Sequence, residues 1–326
     1  MSESPAGSES PRRTFWIGVA CAIGVLVIWT SFILIARMSA KGHLSPFDIV
    51  FVRFVFSGMV VLPLVAKRGG RLLEQLAPDP RVALQRGAAL AATAGVGYCL
   101  FAYSGFFFAP VSHAAVLLPG TLPLATALFA ALLLGERFRR ARLAGLAAIV
   151  AGDLLIGGTS LLQAFTGDGS WKGDVLFLGA AMTWALYGVL CRRWHLDAVP
   201  ATCAIAVVCL VTYVPLFALG AAIGWVPTKL PGAPWSEILF QMVYQGGISM
   251  LVAGVAFTQV VKTFGPVRTT MVTAIVPVLA TVLAVPLLGE SLTAAGIAGL
   301  VLVTLGLLIG VRAQAAERAR APATLR

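Results

Sequence analysis

This sequence has little charge, few histidines and no paired cysteine motif. Only 11% of its 326 residues are charged, against 59% that are hydrophobic. A soluble domain needs far more charge on its exterior, so a water-soluble fold is excluded. The three histidines, His43, His113 and His195, stand far apart, and neither HExxH nor G-x-S-x-G occurs. The usual signatures of metal-assisted hydrolysis and of a serine nucleophile are therefore missing. The five cysteines, Cys21, Cys99, Cys191, Cys203 and Cys209, have neither metal-ligand nor C-x-x-C spacing. They read as small apolar residues, and no metal or cofactor is implied. The net charge of +11 brings nucleic acid to mind, but the basic residues form short clusters between long apolar runs. That is the pattern of membrane topology, and nucleic acid is not expected as a partner.

What is present is apolar length. Crossing a hydrocarbon layer of ~30 Å takes about 20 apolar residues. Ten segments meet or approach this, at 15–36, 46–66, 87–108, 111–134, 143–162, 174–191, 199–223, 237–261, 267–288 and 292–311. They are too long and too evenly apolar for barrel strands, so the expected fold is all-α with ten transmembrane helices. The polar stretch 1–14 reads as a disordered tail. The uncharged run from Phe15 to Ala36 exceeds a signal-peptide core and lacks an A-x-A end, so it reads as a retained first span. Assigned to alternate sides, nineteen Lys and Arg fall on the side of the two termini and four on the other, with Arg53 inside a span. By the positive-inside rule both termini are expected in the cytoplasm of a bacterial inner membrane.

The halves repeat. "PLATALFAALLLGERF" at 123–138 returns as "PVLATVLAVPLLGESL" at 277–292. "GVLVIWTSFILIAR" (24–37) matches "GAAMTWALYGVLCR" (179–192), setting Trp29 on Trp184 and Arg37 on Arg192. "LAGLAAIVAGDLLIG" (143–157) matches "IAGLVLVTLGLLIG" (297–310), setting Gly145 on Gly299 and Gly152 on Gly306. Five spans per copy is odd, so the copies point in opposite directions. This explains why "LLGERFRRAR" carries four arginines towards the cytoplasm and "LLGESLTAAG" carries none. The division is a tail (1–14), a first repeat (15–162), a second repeat (174–312) and a second tail (313–326). Inverted repeats are characteristic of secondary transporters.

Ten spans, two inverted halves and a Pro…LLGE phrase closing the fourth helix of each half resemble the drug/metabolite transporter superfamily, and within it the EamA-type family. "SPFDIVFVRFVFSG" (45–58) and "YQGGISMLVAGVAFTQVVKTFG" (244–265) resemble its second and eighth helices. The resemblance covers about residues 15–312. It implies ATP-independent transport of a small metabolite, amino-acid-like or drug-like, by alternating access, with export as the expected direction. Two features depart from symmetry: span seven has no arginine to match Arg53, and Pro119 has no mate in the second copy.

Candidate substrate-binding residues follow. Arg53 lies about six residues into span two, roughly 9 Å at 1.5 Å per residue. It is a candidate anion-binding group; the alternatives are snorkelling to the outer interface or pairing with Asp48. Trp29 and Trp184 hold matching places in spans that resemble cavity-lining helices. Tyr98 and Tyr103 in span three, with Tyr244 and Gln245 in span eight, offer stacking and hydrogen bonds to an organic solute, or else packing and interfacial anchoring. Asp153 sits eleven residues into span five, where a carboxylate costs about 2.5–3.5 kcal/mol on insertion scales. It is a candidate proton-coupling group, the alternative being a hydrogen-bonded carboxyl at a helix interface. Pro123 and Pro277 are candidate gating positions, because proline frees carbonyls and permits bending. Glu136 and Glu290 are expected to stabilise the starts of helices five and ten. Expected partners are a small-molecule solute, the lipid bilayer, protons as coupling ion and, as a further candidate, a second copy of the chain. The rival classes are a membrane-embedded enzyme and a channel. The enzyme would need convergent His, Asp, Ser or Cys groups, and a channel pore usually comes from symmetric oligomers.

Overall fold

A computed structural model describes residues 11–67, 71–136, 145–155 and 169–320. The arginine cluster Arg137, Arg139, Arg140 and Arg142 lies outside the described residues, as do 1–10 and 321–326. The fold is all-helical. Among the described residues eight helices are long and apolar enough to cross a membrane: α1 (Arg12–Ser39), α2 (Pro46–Lys67), α3 (Pro80–Phe108), α4 (Val111–Leu134), α6 (Ser170–Arg193), α7 (Ala198–Ala222), α8 (Trp235–Gly265) and α9 (Met271–Leu288). Two shorter apolar helices, α5 (Gly145–Leu155) and α10 (Ala294–Gly310), fill the fifth and tenth places. The helix containing α10 continues to Arg320.

Helix ends follow local chemistry. Asp79 caps α3, its Oδ1 accepting from Arg81 N at 2.8 Å, with Pro80 as the first helical residue. This Asp-Pro start places Arg81 and Arg86 inside the helix, seven residues before the expected start. The repeated LLGE phrase stops α4 and α9 in one way. Gly135 and Gly289 take left-handed φ of 69° and 68°. Glu136 N then donates to Ala130 O at 3.3 Å, and Glu290 N to Ala284 O at 3.4 Å. Each is a left-handed glycine stop, and a side chain at either glycine would strain it.

The prolines act unequally. Pro119 and Pro123 lie inside a continuous α4, where neighbouring helices tolerate the lost hydrogen bonds. In the second half a turn at 274–275 breaks α9 just before Pro277. Gly265, at φ 79° and ψ 164°, sets off α8 from the helix that follows it. Both third helices hold a wide-turn segment, Ala91–Gly97 in α3 and Met242–Val252 in α8. Shifted by the 154 residues that separate Pro123 from Pro277, the first falls inside the second. Such π segments occur often at functional sites.

Packing runs mainly between the halves. α1 lies on α8 and α9, and α6 lies correspondingly on α3 and α4. α2 packs on α7 and α8, and α7 on α2 and α3. The sharpest expression of the exchange is the α5–α10 contact. A methyl group built at Gly145 would stand 2.9 Å from Gly306 O, and one built at Gly152 would stand 2.8 Å from Gly299 O. Exchanging the halves turns one contact into the other. Glycine here permits backbone approach of the kind seen between membrane helices. The outer faces carry exposed leucines and valines such as Leu132, Leu154, Leu216 and Val255. Such a surface suits lipid and not water.

Candidate functional site

Arg53, Tyr103 and Gln245 meet in the interior, from α2, α3 and α8. Arg53 is 8% exposed, Tyr103 1% and Gln245 fully buried. Arg53 Nη1 donates to the Tyr103 hydroxyl at 3.1 Å, and that hydroxyl donates to Gln245 Oε1 at 2.7 Å. Arg53 Nε and Gln245 Nε2 are buried without a partner. Neither alternative for Arg53 is realised. It does not snorkel, and Asp48 is occupied elsewhere. Asp48 Oδ2 accepts from Ser45 N at 2.8 Å and Lys229 N at 3.0 Å, and its Oδ1 accepts from Thr228 at 2.7 Å. Asp48 thereby staples the start of α2 to the α7–α8 connection.

The aromatic candidates divide into separate groups. Trp184 stacks obliquely on Tyr98 at 4.7 Å and on Tyr187 at 5.2 Å. Trp29 stacks on Phe257 of α8 at 5.2 Å. Trp29 is partly buried and packed against the core, while Trp184 is exposed. Tyr244 bonds Ser31 at 2.5 Å and the Ile28 carbonyl at 3.1 Å, tying α8 to α1. Asp153 lies half-buried against α4. Its Oδ2 accepts from Thr121 at 3.2 Å, and its Oδ1 is buried without a partner. A methyl group at Gly120 would stand 2.1 Å from that Oδ1, so only glycine leaves room for the carboxyl there.

Sequence reasoning missed one pairing altogether. Arg37 at the end of α1 bonds Glu290 after α9, Nε to Oε1 at 2.9 Å. Arg37 Nη1 also donates to Phe106 O at 2.6 Å, and Glu290 Oε2 accepts from Val111 N at 2.9 Å. At the opposite end Arg192, in the last turn of α6, pairs with Glu136, after α4. The exchange of halves maps one pair onto the other. The expectation that Glu290 stabilises the start of helix ten is corrected: it caps α4, and Thr293 Oγ1 accepts from Gly296 N at 3.0 Å to cap α10. A carboxylate prefers a charged partner and a free helix N–H to a helix start that a hydroxyl already serves. Aligning Arg37 with Arg192 and Glu136 with Glu290 held the signal, since in an antiparallel pair each arginine reaches the other half's glutamate.

Two surface cavities, of about 270 and 440 Å³, lie beside α2. The first is apolar, between α2, α7 and α8; the second lies between α2, the α7–α8 connection and α8. Neither is lined by a residue nominated from the sequence.

A helical bundle with a lipid-compatible exterior, repeated halves and a polar cluster buried in an apolar core is a multi-pass membrane transporter in its architecture. The family can be stated: the model of the EamA-like transporter family matches residues 16–158 and again 171–312, so the chain belongs to it. An uncharacterized transporter, YyaM of Bacillus subtilis (strain 168), is 26% identical over 224 residues, covering 64% of this chain and 68% of the relative. An uncharacterized transporter of Clostridium kluyveri is 23% identical over 283 residues, covering 83% and 85%. A crystal structure 24% identical in sequence matches with a TM-score of 0.55 over 95% of this chain and 99% of the other, a likeness of fold alone.

Proposed function

We propose that this chain is a secondary transporter that exports a small metabolite across the bacterial inner membrane by alternating access. The observation that carries the reading is the pair of Arg–Glu bridges, one at each end, exchanged by the pseudo-symmetry of the halves. Two mirror-related packings can each break one bridge and keep the other, which is what alternating access requires. Their inequality favours a resting state open to the cytoplasm. Arg37 and Glu290 are 22% and 13% exposed, Arg192 and Glu136 53% and 44%. The inner bridge is the weaker of the two and opens first, admitting solute from the cytoplasm. Asp153 is the proposed proton carrier, and Pro123 and Pro277 the proposed bending points beside it and in α9. Trp29, Trp184, Tyr98 and Tyr244 are the proposed aromatic contacts with solute.

Counterflow tests the function. Proteoliposomes preloaded with an unlabelled metabolite panel are expected to accelerate entry of one labelled member, recovered chemically unchanged. Entry no faster than into protein-free liposomes, for every member, would remove the transport reading; chemical conversion would favour an enzyme. Orientation is tested separately. Reporters fused after His195 and after Gly232 are expected to report cytoplasm and periplasm respectively, and activity on one side for both would defeat the inverted topology.

A further inference from the structure

We propose that Arg53 is the anchor for a carboxylate on the transported solute. The inference rests on the transport reading above and names the chemistry of its cargo. A guanidinium keeps its charge under all physiological conditions. Burying that charge without a counter-ion is costly, and proteins normally supply a carboxylate. Here none is supplied: among the described residues no Asp or Glu bonds Arg53, and Asp48 on the same helix is already committed to Ser45, Thr228 and Lys229. The side chain is nonetheless 8% exposed.

The groups left over are all donors. Nη1 is used by Tyr103, whose own proton goes to Gln245 Oε1. Arg53 Nε and Gln245 Nε2 have no acceptor. A surplus of donors in a dry interior marks the place of a missing acceptor, and beside a fixed positive charge that acceptor is an anion. Nε and the neighbouring Nη2 form one straight edge of the guanidinium, on the side away from Nη1. Two parallel N–H bonds on such an edge match the two oxygens of a planar carboxylate. Gln245 belongs to the π segment of α8 and Tyr103 follows the π segment of α3. The site thus lies where both third helices are widened, and where one half supplies the arginine and tyrosine and the other the amide.

The test uses the full chain in detergent and reads unfolding by tryptophan fluorescence. Acetate, propionate and benzoate are compared at millimolar concentration with their primary amides, and with methylphosphonate. At least one acid is expected to raise the unfolding temperature by several degrees while its amide does not. Arg53→Gln keeps a donor for Tyr103 but loses the charge. Without ligand it is expected to unfold at the wild-type temperature or above, because an unpaired buried charge is gone, and to lose the response to acid. Arg53→Lys keeps the charge without the edge and is expected to retain a weaker response. Equal shifts from acid and amide, no shift from any acid, protection by methylphosphonate alone, or an acid response surviving in Arg53→Gln would each overturn the proposal. A lower unfolding temperature in Arg53→Gln would assign the residue to structure instead. None of these outcomes depends on counterflow, so the site and the transport reading fail separately.

Discussion

Replacing either Arg37 or Glu290 by Gln is expected to lower solute exchange at least tenfold, and replacing both is expected to cost less than the two losses combined. The bridge between them is largely shielded from solvent, at 22% and 13% exposure. Removing one partner strands the other charge, at a typical cost of about 3–5 kcal/mol. That is enough to depopulate the state in which this bridge is closed. Gln at both positions removes both charges, yet leaves a donor for the Phe106 carbonyl and an acceptor for the Val111 amide. The bridge at the opposite end differs. Arg192 and Glu136 are 53% and 44% exposed, and pairs of that kind contribute about 0.2–1 kcal/mol. Arg192→Gln is therefore expected to reduce exchange by no more than a few-fold. Chemical unfolding of the two singles and the double supplies the coupling for the Arg37–Glu290 pair. Independent effects, or equal losses at the two ends, would show that the bridges do not gate.

The second large effect is expected at Asp153. Asp153→Asn is proposed to abolish proton-driven accumulation while leaving exchange of solute down its own gradient. The carboxyl faces the stretch of α4 between Pro119 and Pro123, where Thr121 donates to Oδ2 and Oδ1 is left unsatisfied. An orphaned buried oxygen is expensive. It becomes tolerable when a proton is bound in one state and water reaches the group in another, and protons then have different affinities for the two states. Asn keeps the size and can hydrogen-bond, but it cannot titrate. Accumulation driven by an imposed proton gradient, compared with counterflow at equal expression, separates the roles. An Asp153→Asn protein with unchanged pH dependence of uptake would leave Asp153 as a structural contact to α4.

The membrane class, the helical fold and the repeat were legible because each rests on runs of many residues. Apolar length marked the helices, and the recurring LLGE phrase marked the two copies. Element ends were less legible: α3 starts at Pro80 because one Asp-Pro pair outweighs the basic residues that looked like a loop. The break before Pro277 and the intact helix through Pro119 and Pro123 were not separable, since all three prolines read alike in one dimension. At the site, the residue types were nominated but not their partners. Arg53, Tyr103 and Gln245 are separated by 50 and 142 residues, and only packing brings them together. Trp29 and Trp184 share a repeat position, yet one stacks on Phe257 and the other on Tyr98. Equivalent places in the two copies have different neighbours once side chains diverge.

The reciprocal contact between Gly145 and Gly306, and between Gly152 and Gly299, bears on how such a chain arises. Each half presents the same small-residue ridge, and each ridge is the other's groove. A single half would thus carry both surfaces needed to bind an upside-down copy of itself. Joining two such copies in tandem fixes their ratio at one to one and frees each to change alone. Arg53, with no mate in span seven, and Asp153, matched by Leu307, are what that freedom permits: polar groups present in one half and absent from the other.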